Sequence, residues 1–439
     1  MTPGFRQVRE VAEALSVGLV LDSPSTGSGC YDQVAWGDCV AVEFSGKAGR
    51  HPLFRAEDGL KTVRETVAPA LRGRKLTSFR ELAAEVDALI ETVTVTQPVS
   101  PADQGGDSSA GVKTLSRREL FRLLHPAQGE EISQEEQFEH TTIERRLHTA
   151  LRYGVSQALL RAVALARGIT MAEVVAEEYD LTLPSQPVPI HAQCGADRYA
   201  GADKMIARRV ASLPHTLVDN IPEHLGQDGE VLVQYARWLR ERIPQLAGDD
   251  YEPTIHLDVH GSLGKIYENN LGKILGYLYR LEQAVDPYPL RVESPLIMDT
   301  RQAQIDAMQT LRDYVRFRKM KVQLVADEWA NTLDDIRAFI HAGAADMIQI
   351  KMPDLGSVHN SIEAVLACKA DGIGAFLGGS CAETDLSARV AVHVALATQP
   401  DMIMAKPGMG VDEGITLVRN EMARTLAWIK VRESENPKH

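Results

Sequence analysis

The chain has 439 residues, 44% of them hydrophobic, which is enough for a large core spread over two domains. Acidic side chains outnumber basic ones by 60 to 47, and the net charge of −13 argues against broad contacts with nucleic acid or acidic membranes. Small molecules are the expected partners. Five cysteines, Cys30, Cys39, Cys194, Cys368 and Cys381, form no CxxC pair and are odd in number, which excludes a complete disulfide framework and suits a reducing cytoplasm.

The opening "MTPGFRQVREVAEALSVGLV" carries Arg9 and Glu13 where a signal peptide needs an apolar core. No uncharged run approaches the roughly 18 residues of a membrane-spanning helix, so the chain reads as soluble and unexported. Up to about residue 97, strand-like stretches ("VGLVLDS", "DCVAVEFSG") mix with a helical one ("FRELAAEVDALIETV"), an α+β pattern. "PVSPADQGGDSSAGV", 98 to 112, is aperiodic and rich in Pro, Gly, Ser and Asp, and reads as an exposed loop. "ERRLHTALRYGVSQALLRAVALARG" sets Leu147, Leu151, Val155, Leu159 and Val163 at steps of four, which predicts one long helix packed between the domains.

From about 187 the texture changes. Short apolar runs alternate with helical patterns: "VPIHAQCG", "TIHLDVHG", "LRVESPLI", "VQLVADEW", "MIQIKMPD", "GAFLGGS" and "MIMAKPG". Such alternation predicts a parallel (β/α) barrel, because each parallel strand needs a crossover helix to return the chain. The expected architecture is an N-terminal α+β capping domain, residues 1–185, followed by a TIM-type barrel, residues 186–439. An open doubly wound sheet is the competing fold, but neither GxGxxG nor GxxxxGK[ST] is present.

Three of these runs end in an acid, Asp258, Glu293 and Asp327, and a fourth ends in Lys351. Their spacings of 35, 34 and 24 residues each fit one strand, helix and return loop, so the four side chains belong on one barrel rim. Three carboxylates there make a hard oxygen site for a divalent cation such as Mg2+. A lysine beside that cation would have a lowered pKa and could remove a proton next to a substrate carboxylate. One acid at a strand end is more often a helix cap or half of an ion pair, and Asp354 fits a cap. Three in order with a lysine one unit later are harder to explain so. Glu328 is a rival ligand.

Strand alternation puts Gln349 on the same face as Lys351. Gln193 in "HAQCG" and His215 in "SLPHTL" are candidates for the opposite side of the site, although a lone histidine is more often structural. "GGSCAET" offers Ser380, Cys381 and backbone N–H groups to an anionic oxygen.

These motifs resemble the enolase superfamily and, within it, the methylaspartate ammonia-lyase family. The similarity runs from "GFRQVRE" to "KPGMGVDEG" and is strongest in "VADEW", "IKMPDLGSVHNS", "GGSCAET" and "AKPGMGVDEG". The resemblance implies an enolase-like α/β fold and the elimination of ammonia from L-threo-3-methylaspartate to give mesaconate through an enolate-like intermediate. It implies Mg2+ on Asp258, Glu293 and Asp327, with Lys351 as the base that takes the C3 proton. His215 would lie on the other face, binding the carboxylate beside C3 and serving the opposite C3 configuration. Gln349 would help hold that carboxylate, and Gln193, Ser380 and Cys381 would bind the one on the amino-bearing carbon. Activation by a monovalent cation such as K+ and a homodimer are further expectations from the family.

Three departures stand out. Ser380 replaces a threonine of the family pattern, and Glu43 stands where the family has a glutamine near the substrate's amino group. The chain also begins just ahead of "QVRE", where relatives carry several tens of further residues, which bears on how the capping domain closes. Two other readings are a superfamily lyase or epimerase acting on another amino or hydroxy dicarboxylate, and a non-catalytic barrel that binds a dicarboxylate. "KMK" at 319 to 321 has the KxK form of the cycloisomerase-type members, but it starts its strand and so belongs at the wrong rim.

Overall fold

The computed structural model describes residues 13–22, 34–42, 48–98, 138–183, 185–194, 197–216, 218 and 220–435. Glu43 and the loop expected at 98 to 112, from residue 99 onward, lie outside them. The chain forms two compact units, one of residues up to Leu89 together with Leu147 onward, the other Ile90–Arg146.

The smaller unit contains β3, Ile90–Pro98, paired antiparallel with β4, Phe138–Arg146. The alternating "IETVTVTQP" explains β3, since branched side chains suit a pleated surface better than a helix. It also corrects the expected helix "FRELAAEVDALIETV", which stops at Asp87. The long helix is also shortened, at its other end, by pairing with β3. Glu144, Arg145 and Arg146 belong to β4, and the helix runs Thr149–Arg167, its first turn capped where Ala150 N donates to His148 Nδ1 at 3.1 Å. Where the chain leaves and re-enters the larger unit, Leu147 N donates to Leu89 O at 3.2 Å.

In the larger unit, β1, Leu15–Val20, pairs with β2, Val34–Cys39, so this strand begins earlier than "DCVAVEFSG" suggested. Helix Thr149–Arg167 lies against β2 at very short range. A Cβ on Gly37 would fall 2.0 Å from Gly154 O, and one on Gly154 would fall 2.4 Å from Cys39 Sγ, so neither position has room for a side chain. From the same helix Tyr153 OH donates to Glu383 Oε1 at 2.8 Å, and Ser156 Oγ accepts from Val358 N at 2.9 Å.

The remaining strands close into a parallel barrel: β5, Ile190–His191; β6, Ser212–His215; β7, Thr254–Asp258; β8, Leu290–Glu293; β9, Gln323–Ala326; β10, Met347–Ile350; β11, Gly374–Leu377; and β12, Met402–Met404, which pairs back with β5. The sequence reading named every strand except β6, whose "SLPH" has one aliphatic residue and a proline. Val325, Met347, Phe376, Met402 and Met404 fill the interior, separate from the larger core between strands and helices. Lys319 and Lys321 are exposed before β9, as the reading of "KMK" required. Among the described residues no helix is long and apolar enough to cross a membrane.

Candidate active site

Parallel pairing sets Asp258 directly beside Glu293 at the ends of β7 and β8. Asp327 and Lys351 each follow their strands, β9 and β10, by one residue. All three acids are buried, and Lys351 Nζ lies 2.5 Å from Asp327 Oδ2. Gln349 Nε2 donates to Glu293 Oε1, which confirms that Gln349 turns inward, while its own Oε1 has no hydrogen-bond partner. His215 Nε2 is 3.7 Å from Asp258 Oδ2, and His215 Nδ1 is 3.9 Å from Glu293 Oε2. Six predicted residues therefore form one cluster.

The other three follow barrel strands at the same end. Gln193 is half-buried two residues past β5. Ser380, past β11, donates its hydroxyl to Ala41 O at 3.0 Å and accepts from Ala382 N at 3.1 Å. Cys381 is exposed beside it.

Burial and mutual repulsion dominate the electrostatics of this cluster. Burial pushes the Asp258 carboxyl up to about 7, with Asp327 adding to the rise and His260 and Lys351 opposing it. Burial, Asp258 and Asp327 push Glu293 well above the carboxylate range. Five carboxyl groups, Asp258, Glu293, Asp327, Glu328 and Asp354, gather here against the Arg50 guanidinium and the Lys351 ammonium. A hard divalent cation fits this donor set, because it would relieve the repulsion that raises both pKa values. One ligand atom from each of His215, Asp258 and Glu293 already lies within 4.8 Å of the others.

The expected low pKa of Lys351 is not met by the protein's own charges. Burial disfavours its ammonium form, but Asp327, Glu328 and Glu293 outweigh burial and hold the pKa above its ordinary value. Burial, together with Lys351 and His260, drives His215 down to about 3, so its imidazole is neutral. Asp354 is no helix cap: its Oδ2 lies 2.7 Å from Arg50 Nε. Glu328, the rival ligand, lies 2.7 Å from Arg50 Nη1 and 3.1 Å from His260 Nδ1.

Sequence comparison now decides the family. Models of the N- and C-terminal parts of methylaspartate ammonia-lyase match residues 1–100 with 117–180, and 182–431. A methylaspartate ammonia-lyase of Carboxydothermus hydrogenoformans is 44% identical over 98% of this chain and 90% of its own length. The chain belongs to the methylaspartate ammonia-lyase family. It is a carbon–nitrogen lyase. The solved Mg complex of β-methylaspartase from Clostridium tetanomorphum is 40% identical, with a TM-score of 0.77 over 98% of this chain and 91% of that one. Methylaspartate ammonia lyase from Citrobacter amalonaticus, solved with (2S,3S)-3-methylaspartic acid, reaches a TM-score of 0.80 at 38% identity, covering 98% and 90% of the two chains. A muconate cycloisomerase variant at 13% identity and a TM-score of 0.55 shares the fold alone.

This family member also holds functional neighbours that the sequence reading passed over. Arg50 grips Asp327, Glu328 and Asp354 at once, and nothing in its local sequence announces that. Below the carboxylates, His191 Nδ1 meets Ser212 Oγ at 2.9 Å and His191 Nε2 meets His215 Nδ1 at 3.1 Å, while His256 Nε2 meets Glu293 Oε2 at 2.7 Å. His256 stands two residues before Asp258, so the alternation that exposed Gln349 would have found it too.

Lys406 ends "MIMAK" as Lys351 ends "MIQIK", and it is buried 3.0 Å from Glu383 Oε2 and 3.2 Å from Gly378 O. Ser380 N also donates to Glu383 Oε2 at 3.0 Å, so this ion pair shapes the turn that carries Ser380. The turn is built around Gly379, where a Cβ would lie 2.1 Å from Glu383 Oε2 and 2.8 Å from Lys406 Nζ. Gly379→Ala is expected to lower stability by about 1–3 kcal/mol through overpacking, read by thermal or urea denaturation. An unchanged midpoint would show that the pair can move aside.

Proposed function

We propose that this lyase eliminates ammonia from L-threo-3-methylaspartate to give mesaconate, with Mg2+ held by Asp258, Glu293 and Asp327. The observation that carries the reading is the buried rim of three acids with Lys351 touching Asp327. Bound there, Mg2+ supplies positive charge to the substrate carboxylate as charge develops on the neighbouring carbon. Lys351 takes the C3 proton, the C2–N bond breaks, and the electron pair closes the C2=C3 double bond as ammonia leaves. Lys351 acts only from its neutral form, so the surroundings must become less negative than the residues alone make them, and a divalent cation has that sign.

His215, neutral and facing Asp258, is assigned to the opposite side of C3, where it binds the adjacent carboxylate and serves the other C3 configuration. Gln349 spends one amide hydrogen on Glu293 and keeps the second for that carboxylate. Gln193, Ser380 and Cys381 are assigned to the carboxylate beside the amine. The same reading takes residues 1–185 as the capping domain and 186–439 as the catalytic barrel. Purified protein incubated with 3-methylaspartate and Mg2+ should develop mesaconate absorbance. No absorbance at high enzyme concentration would reject the substrate.

A further inference from the structure

His256 takes no part in the proposed reaction. It is fully buried on the inner face of β7, its ring centroid 4.5 Å from that of His191 and 5.5 Å from that of Phe376. Its Nδ1 has no hydrogen-bond partner, and its Nε2 lies 2.7 Å from Glu293 Oε2. These two facts settle the tautomer. A proton on Nδ1 would be a buried donor without an acceptor, at the full cost of desolvating that donor. A doubly protonated ring would bury the same unpaired donor. The ring is therefore neutral with its one proton on Nε2, and it donates to Glu293.

Glu293 consequently receives one N–H on each oxygen, from His256 on Oε2 and from Gln349 on Oε1. A carboxylate has about four lone-pair sites, so both oxygens keep capacity for a cation while the group's rotation is fixed. We infer that His256 is a positioning residue whose Nε2–H holds the Glu293 carboxylate in the orientation that ligates the divalent cation. The inference rests on the proposal that Glu293 is a metal ligand. Partners of this kind typically change metal affinity 10- to 100-fold when removed. A ring that merely filled the barrel would change stability instead.

The test uses the full-length protein and Mn2+ as the probe, with free Mn2+ counted by electron paramagnetic resonance and folding followed by circular dichroism. His256→Leu is expected to weaken Mn2+ binding by about 10- to 100-fold. It should also raise the Mg2+ concentration needed for half-activation. His256→Gln, which keeps a donor, should recover most of the affinity, and the shorter His256→Asn should not. Glu293→Gln is the control. If it retains wild-type Mn2+ affinity, the metal assignment fails before His256 is considered. If Glu293→Gln loses Mn2+ while His256→Leu binds normally, the inference about His256 is overturned. Should His256→Leu fail to fold, the Gln and Asn variants decide, and equal affinities in those two would overturn it as well.

Discussion

Lys351→Ala is expected to lose turnover of the threo substrate by about 10²- to 10⁴-fold, the span that a positioned general base contributes. The variant should still fold, because Asp327 keeps Arg50 Nη2 at 3.4 Å after the ammonium is gone. It should bind Mg2+ at least as well as the parent. Removing a cation 2.5 Å from a ligand carboxylate makes the site more negative, so the sign of any change is toward tighter binding. The decisive pair of measurements is the rate of mesaconate formation and the Mg2+ titration of the same preparation. A near wild-type rate removes Lys351 as the base. A lost rate with equally lost Mg2+ affinity reassigns it to holding the metal site together.

Arg50→Met should cost about 3–5 kcal/mol of stability, the usual effect of taking one partner from a buried ion pair. Glu328 Oε2 and Asp354 Oδ2 would each lose a nitrogen at 2.7 Å in a buried setting. The loss should depend on pH in a set direction. Burial opposes the Glu328 charge, but Arg50 and His260 outweigh it and hold that carboxyl well below its ordinary 4.5. A depressed carboxylate pKa contributes stability above the unfolded value and loses it as pH falls through the folded one. The gap between parent and variant should thus be widest near neutrality and narrow as pH drops below about 4.5. Asp354 adds to that slope in the same direction, because Arg50 lowers a carboxyl that burial otherwise raises, and the variant loses that lowering. Urea denaturation at several pH values reads both claims. A pH-independent gap would place the cost in packing rather than charge. Arg50→Lys should restore little, since an ammonium cannot reach three carboxylates as the guanidinium fork does.

What could be read beforehand follows the range of the forces involved. Strands that drop a charged residue from an apolar run, such as "IHLDV" and "MIQIK", disclose both the strand and the direction of its end. β6 discloses neither, because Ser212 and Pro214 give "SLPH" no apolar run, and only pairing with β5 and β7 makes it a strand. The helix from Phe79 was read too far because "ALIETV" keeps helical spacing, and the pairing of Ile90 with Arg146 overrides it. Arg50 was out of reach for a simpler reason. Its partners lie 277 to 304 positions away, and no local pattern encodes such a contact. His256 was within reach, since the alternation rule applied to β10 holds equally for β7.

The hydrogen bond from Leu147 N to Leu89 O has a bearing on how this lineage can diversify. The chain departs for β3 and comes back from β4 at a single stitch, and the family model itself passes over residues 101–116. A short turn from Leu89 to Leu147 would span the same gap. The spacing between Leu89 and Leu147 is therefore set within the larger unit, and the length of the chain between them can differ among relatives without changing that spacing.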